Sequence, residues 1–147
     1  MKGKSKLETL SLDDLSDAQE CYAGALTSAS TYAPAHAGMA NACALRYEST
    51  RIDPVPDLAS LQLADHHART ACELDDGFGE AWAARGFIAH RLGHADDANA
   101  FCRKATSLEP GNWRHWGRLA EVSWGEDRLV AARHAEQLCP RLPLASL

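Results

Sequence analysis

The chain has 147 residues, a formal charge of −5, and 46% hydrophobic against 24% charged residues. That is enough for one domain with a core of ordinary size, and its mild acidity gives no electrostatic reason to expect nucleic acid or an anionic membrane as a partner. No run approaches the roughly 18 apolar residues of a membrane span, and no apolar stretch of signal-peptide length follows the three lysines of the first six residues.

Periodicity is helical almost throughout, and no convincing alternation of apolar and polar residues marks a strand. Ser11 is placed to cap a first helix reaching about residue 28, with Leu15, Ala18, Tyr22, Ala25 and Leu26 on one face. Pro34 opens a second helix, about 34 to 48. Its stripe is Met39, Ala40, Cys43 and Tyr47. Two prolines and Asp53 make 49–56 a loop, after which Asp57 caps a helix over about 58–74. Gly93 ends a fourth helix that begins near residue 79, and Pro110 and Gly111 follow a fifth over about 95–108. A sixth is expected from 113 to about 124, and a seventh from about 127 to 138.

Alanine accounts for 27 residues, which favours helix and lets helices approach closely. Cys21, Cys43, Cys72, Cys102 and Cys139 are odd in number, widely spaced and without a C-x-x-C pair. They read as reduced thiols, mostly small buried apolar residues, in a cytoplasmic protein.

A period of 34 runs through the middle of the chain. It separates Ala64 from Ala98, Ala71 from Ala105, Leu74 from Leu108 and Trp82 from Trp116. Thirty-four residues is the length of one helix–turn–helix unit in a tetratricopeptide solenoid. The stretch Ala81-Trp82-Ala-Ala-Arg85-Gly86-Phe-Ile-Ala89, followed by Ala98, Cys102, Ala105, Leu108 and Pro110, resembles the tetratricopeptide repeat pattern. It departs at Arg85 for Leu, Ala89 for Tyr and Cys102 for Phe. Residues 32–40, the proline loop and 138–143 are similar to repeat modules attached to bacterial transcription regulators, adenylate cyclases and kinases.

The resemblance implies an all-α, right-handed α–α superhelix of about seven helices. Residues 1–10 are expected to be a flexible start and 141–147 a tail. One domain, 11–143, would hold an N-terminal helix and three hairpin repeats over 33–74, 78–110 and 112–140. The units are not uniform. His36 takes the place of the Trp in the first, with about 12 surplus residues mapping to the proline loop. Near Gly125 about four residues are missing from the last. The terminal units read as open, which implies a longer array or self-association through the repeat ends.

Such a solenoid implies a concave groove lined by the first helix of each unit. Counting from the Trp-equivalent positions gives Asn41 and Leu45, then Glu80, Ala84, Phe87 and Arg91, then Arg114, Arg118 and Glu121. Tetratricopeptide domains that clamp the C-terminal carboxylate of heat-shock chaperones use Lys and Asn, Asn, and Lys and Arg from three successive units. Asn41, Arg114 and Arg118 match that set; Ala37 and Ala84 stand where Lys and Asn are expected. Two arginines four apart can fork a carboxylate, or simply pair with Glu121 or Glu80 across a solvated face.

His90 and His94 have metal-ligand spacing, but Gly93 places His94 past the helix end, and adjacent His66 and His67 point about 100° apart. No metal site and no cofactor follow. No phosphate-binding loop, nucleophile elbow or zinc-protease motif occurs, so no catalytic residue is assigned. Among Trp113, Trp116 and Trp124, Trp113 is expected to be the most exposed, as a partner anchor, the others wedging between helices.

These readings converge on a non-catalytic protein–protein interaction module. Its partner is a protein or peptide, acidic or ending in a free carboxylate. The alternatives are a regulatory segment of a larger signalling or transcription protein, or a small chaperone of the type III secretion kind.

Overall fold

The computed structural model describes residues 12–140. Seven helices occur among them: α1 Leu12–Ser28, α2 Ala33–Thr50, α3 Leu58–Leu74, α4 Gly79–Arg91, α5 Ala95–Leu108, α6 Trp113–Glu121 and α7 Gly125–Leu138. The Ser11 cap and the expectations for 1–10 and 141–147 lie outside the described residues. Asp57 does cap α3, its carboxylate accepting from Ser60 N at 3.0 Å and Ser60 Oγ at 2.8 Å. Gly93, with φ +87, sits in the left-handed conformation between α4 and α5.

Three boundaries differ from expectation. The second helix continues past residue 48 because hydroxyls occupy its last carbonyls: Ser49 Oγ donates to Arg46 O at 2.7 Å and Thr50 Oγ1 to Tyr47 O at 3.0 Å. Thr50 Oγ1 also accepts from Asp57 N at 2.8 Å, tying the two ends of the proline loop together. α6 stops at Glu121, short of Trp124, and α7 begins two residues early at Gly125. Between them Val122 and Ser123 leave the helix and turn into the interior, where Ser123 Oγ accepts from Asn99 Nδ2 at 3.0 Å. The missing residues therefore shorten a helix: α6 has 9 residues where α4 has 13.

The helices pack as consecutive hairpins, α2 with α3, α4 with α5, and α6 with α7, while α1 lies on α2. The first helices of the hairpins, α2, α4 and α6, also touch in succession and form an inner row. Small residues fill the seams. Ala64, Ala68, Ala71, Ala98 and Ala105 are fully buried, and Leu61, Ile88, Cys43 and Cys102 are the largest side chains sealed completely inside. Gly86 marks a close approach of backbone to backbone. A Cβ there would lie inside contact distance of Cys102 Sγ and 3.2 Å from both Ala98 O and Cys102 N.

One contact repeats along the row. Trp82 Nε1 donates to Asp76 O and Trp116 Nε1 to Pro110 O, each at 2.8 Å and each six residues upstream. His36 Nε2 does the same to Ser30 O, also six residues upstream at 2.8 Å. The ring face then meets the second helix of its own hairpin: Trp82 against Phe101, Trp116 stacked on His134, His36 against His67.

Gly86→Ala is expected to destabilise the protein by about 1–3 kcal/mol, because backbone on α5 must shift to admit one methyl group. Urea unfolding followed by circular dichroism measures it; an unchanged midpoint would mean that α4 and α5 separate at little cost.

Candidate functional site

Residues four and seven apart share one helical face, which is why the inner row carries a continuous stripe. Asn41 and Leu45 on α2, Glu80, Ala84 and Phe87 on α4, and Arg114, Arg118 and Glu121 on α6 line one hollow of about 590 Å³. Arg91 faces an adjoining hollow of about 470 Å³, which shares Leu45, Phe87, Arg118 and Glu121 with the first. A third, of about 500 Å³, shares Asn41 and Glu80 and continues toward α1 through Tyr22, Tyr32 and Phe78. The concave face is thus one channel from α1 to α7.

The three arginines differ in what they already hold. Arg91 is committed: Nε donates to Glu48 Oε2 at 2.9 Å and Nη2 to Glu48 Oε1 at 2.7 Å, a bidentate bridge from α4 to α2. That hydrogen bonding, more than any other influence, raises the Arg91 pKa. Arg118 lies over the Phe87 ring, 4.2 Å from its centroid, and reaches Glu121 only at 3.4 Å. Arg114 stacks on Trp113 at 5.4 Å, and its guanidinium meets no carboxylate among the described residues. Ala84 stands bare in the hollow, and Ala37 belongs to the third hollow.

Several lining residues carried no periodic signal. Asn112 and Trp113 form the start of α6, where Asn112 Oδ1 accepts from Arg114 N at 3.1 Å and caps the helix. His115 is buried in the floor, its Nε2–H donating to Glu109 Oε1 at 2.6 Å. Glu109 in turn packs on Gly79, where a Cβ would lie 2.8 Å from its carboxyl carbon. The link spans six residues of turn, a separation that neither helical nor strand periodicity reports.

Trp113 is only half-buried and Trp124 is 79% exposed, so the tryptophan expected to stand out is the wrong one. The reason is the early end of α6, which leaves Trp124 on an extended residue outside the helix. All five cysteines are free. Burial pushes the Cys72 thiol up to about 11 and the Cys102 thiol up to about 12, which keeps both protonated and poorly nucleophilic. Among the described residues no group of three or more His, Cys, Asp or Glu could hold a metal ion, and no helix is long and apolar enough to cross a membrane.

The arrangement of hairpins recurs in solved structures. A TPR protein of Thermus thermophilus, TTC0263, superposes with a TM-score of 0.76 at 21% identity, over 88% of this chain and 68% of that one. The chain has the tetratricopeptide-repeat fold. YrrB, described as a TPR protein with an unusual peptide-binding site, superposes with a TM-score of 0.55 at 20% identity, over 92% and 83% of the two chains. No protein-family model matches the chain, and no curated protein matches it in sequence.

Within this tetratricopeptide frame the Arg91–Glu48 bridge holds two inner helices together with both side chains largely covered, 20% and 23% exposed. Arg91→Ala should cost about 1–3 kcal/mol, since it leaves the largely covered Glu48 carboxylate with only its longer contact to Arg51 at 3.4 Å. Thermal and urea unfolding check it; a variant as stable as the parent would place the bridge among ordinary surface pairs.

Proposed function

We propose that the chain is a non-catalytic protein–protein interaction module that holds a peptide or protein partner in the channel between α2, α4 and α6. The observation that carries the reading is the Arg114 guanidinium, which faces the hollow and meets no carboxylate among the described residues. Arg118 stands one turn along the same helix with a single long ion pair to Glu121. A ligand carboxylate can replace that weak pair and bridge the two guanidiniums. The favoured partner is therefore acidic.

A free C-terminal carboxylate is the narrower version. Asn41, Arg114 and Arg118 support it, while Ala37 and Ala84 supply no donor, so side-chain carboxylates of the partner serve as well. The protein would act in a reducing compartment such as the cytoplasm, where its free thiols persist.

A second reading draws on the outer end. Leu129, Val130 and Trp124 are 48%, 44% and 79% exposed around α7. They favour a further protein segment or a second copy packing there, as in a regulatory segment of a larger signalling or transcription protein. Sedimentation over a wide concentration range tests the second-copy version, with a constant monomer mass as the contrary result.

A fluorescent acidic peptide, titrated with its C-terminus free and then amidated, tests the main reading. Binding should weaken about tenfold or more in Arg114→Ala/Arg118→Ala, and the salt dependence should flatten. Equal affinity and equal salt dependence in parent and variant would remove the arginines from the site. A pull-down from cell extract with the same pair of proteins then identifies the native partner.

A further inference from the structure

The first hairpin is closed by a contact that its neighbours lack. Where α4 and α5 meet through Trp82 and Phe101, α2 and α3 meet through His36 and His67, 34 residues before Phe101. The two imidazoles face one another with Nδ1 to Nδ1 at 3.0 Å and centroids 5.3 Å apart. Ser30 O can only accept, so His36 Nε2 carries a proton. In the neutral pair His36 Nδ1 is then a lone pair, and the bond is His67 Nδ1–H donating to it.

One added proton leaves that bond intact with its direction reversed. His36 becomes an imidazolium and donates from Nδ1 to His67 Nδ1, whose own proton moves to Nε2. A second added proton puts two N–H groups and two positive charges face to face at a distance that permits neither. We propose that the His36–His67 pair is an acid-sensitive joint of the first hairpin, closed with zero or one added proton and opened by the second.

The surroundings do nothing to soften this. His36 is 8% exposed, so water cannot solvate its charge freely. Burial, then the charge of His36, then that of His66 beside it on α3, hold the His67 pKa down to about 4. Among the described residues no carboxylate is a cause of that shift. From α4 and the turn before it the neighbouring cluster supplies Phe78, Ala81 and Trp82, which carry no charge, and α1 reaches this end of α2 through the Tyr22 ring under Gly38. An unfolded His67 takes its proton near pH 6.5, whereas the folded one resists to about pH 4. Between those values the unfolded state binds more protons. The joint's contribution is full above about pH 6.5 and is lost as the pH falls toward 4.

The test compares the parent with His36→Trp/His67→Phe, which installs the pair of the second hairpin. Urea midpoints are measured from pH 7.5 to 4. The parent should lose stability faster than the variant below pH 6.5, so that the variant's midpoint gains on the parent's as the pH falls. Parallel curves would overturn the proposal. Nuclear magnetic resonance of the histidine rings in the unaltered protein gives a second reading that needs no variant to fold. His67 should stay uncharged to near pH 4, and a His67 ring titrating near 6.5 would overturn the proposal equally. Neither measurement uses a partner, so the outcome is separate from that of the channel.

Discussion

The helix that starts each hairpin must leave its turn at a fixed angle, or the inner row does not form. In three places that angle is set by a ring nitrogen donating to the carbonyl six residues upstream. The carbonyls of Ser30, Asp76 and Pro110 lie in the turns that enter α2, α4 and α6, where no regular ladder would occupy them. Closing each with a ring N–H fixes the turn to the first helix, and the face of the same ring then meets the second helix. One side chain thus joins three segments of backbone. An indole does this with the larger apolar area, and an imidazole does it with the same bond and a titratable partner.

Lined up in this way, α2, α4 and α6 present one stripe of side chains to the channel, and the aromatic residue at its centre does not show itself. Phe87 is 7% exposed, with Arg118 over its ring at 4.2 Å and Arg91 at 4.9 Å. What a ligand meets there is guanidinium edge rather than ring face. Stacking on an aromatic orients the planar cation without using its N–H donors. The floor of the channel is therefore apolar, with two guanidiniums laid over its central ring.

Much of this is legible in the sequence. The 34-residue spacing runs through the middle hairpins, and helical offsets from His36, Trp82 and Trp116 put eight of the nine expected groove positions around one hollow. Placing His36 in the Trp position also stands, since it makes the equivalent bond. What escaped was tertiary. Arg91 looked like Arg114 on a helical wheel, and only the approach of α2 shows that Glu48 occupies it. The His115–Glu109 link joins a helix to the turn before it, with nothing repeating to mark it. The exposure of Trp124 depended on where α6 ends, and a deletion of known size does not say which side of the turn loses the residues.

The irregularities in repeat length follow from the same constraint. From Trp82 to Phe101 is 19 residues and from His36 to His67 is 31, a surplus of 12 that leaves the ring contact in place. The extra chain enters as a longer α2 and a proline loop whose ends Thr50 pins together, with Ile52 and Val55 left out in solvent. At the other end Trp82 to Lys104 spans 22 residues and Trp116 to His134 spans 18, and again the ring finds its partner. There the shortfall comes out of the far end of α6, beyond Glu121, so Arg114 and Arg118 keep their places on the inner face. Both changes fall outside the span between a turn carbonyl and its ring. A change within that span would rotate the first helix, and with it the stripe that faces the channel, so length varies only where the stripe is indifferent to it.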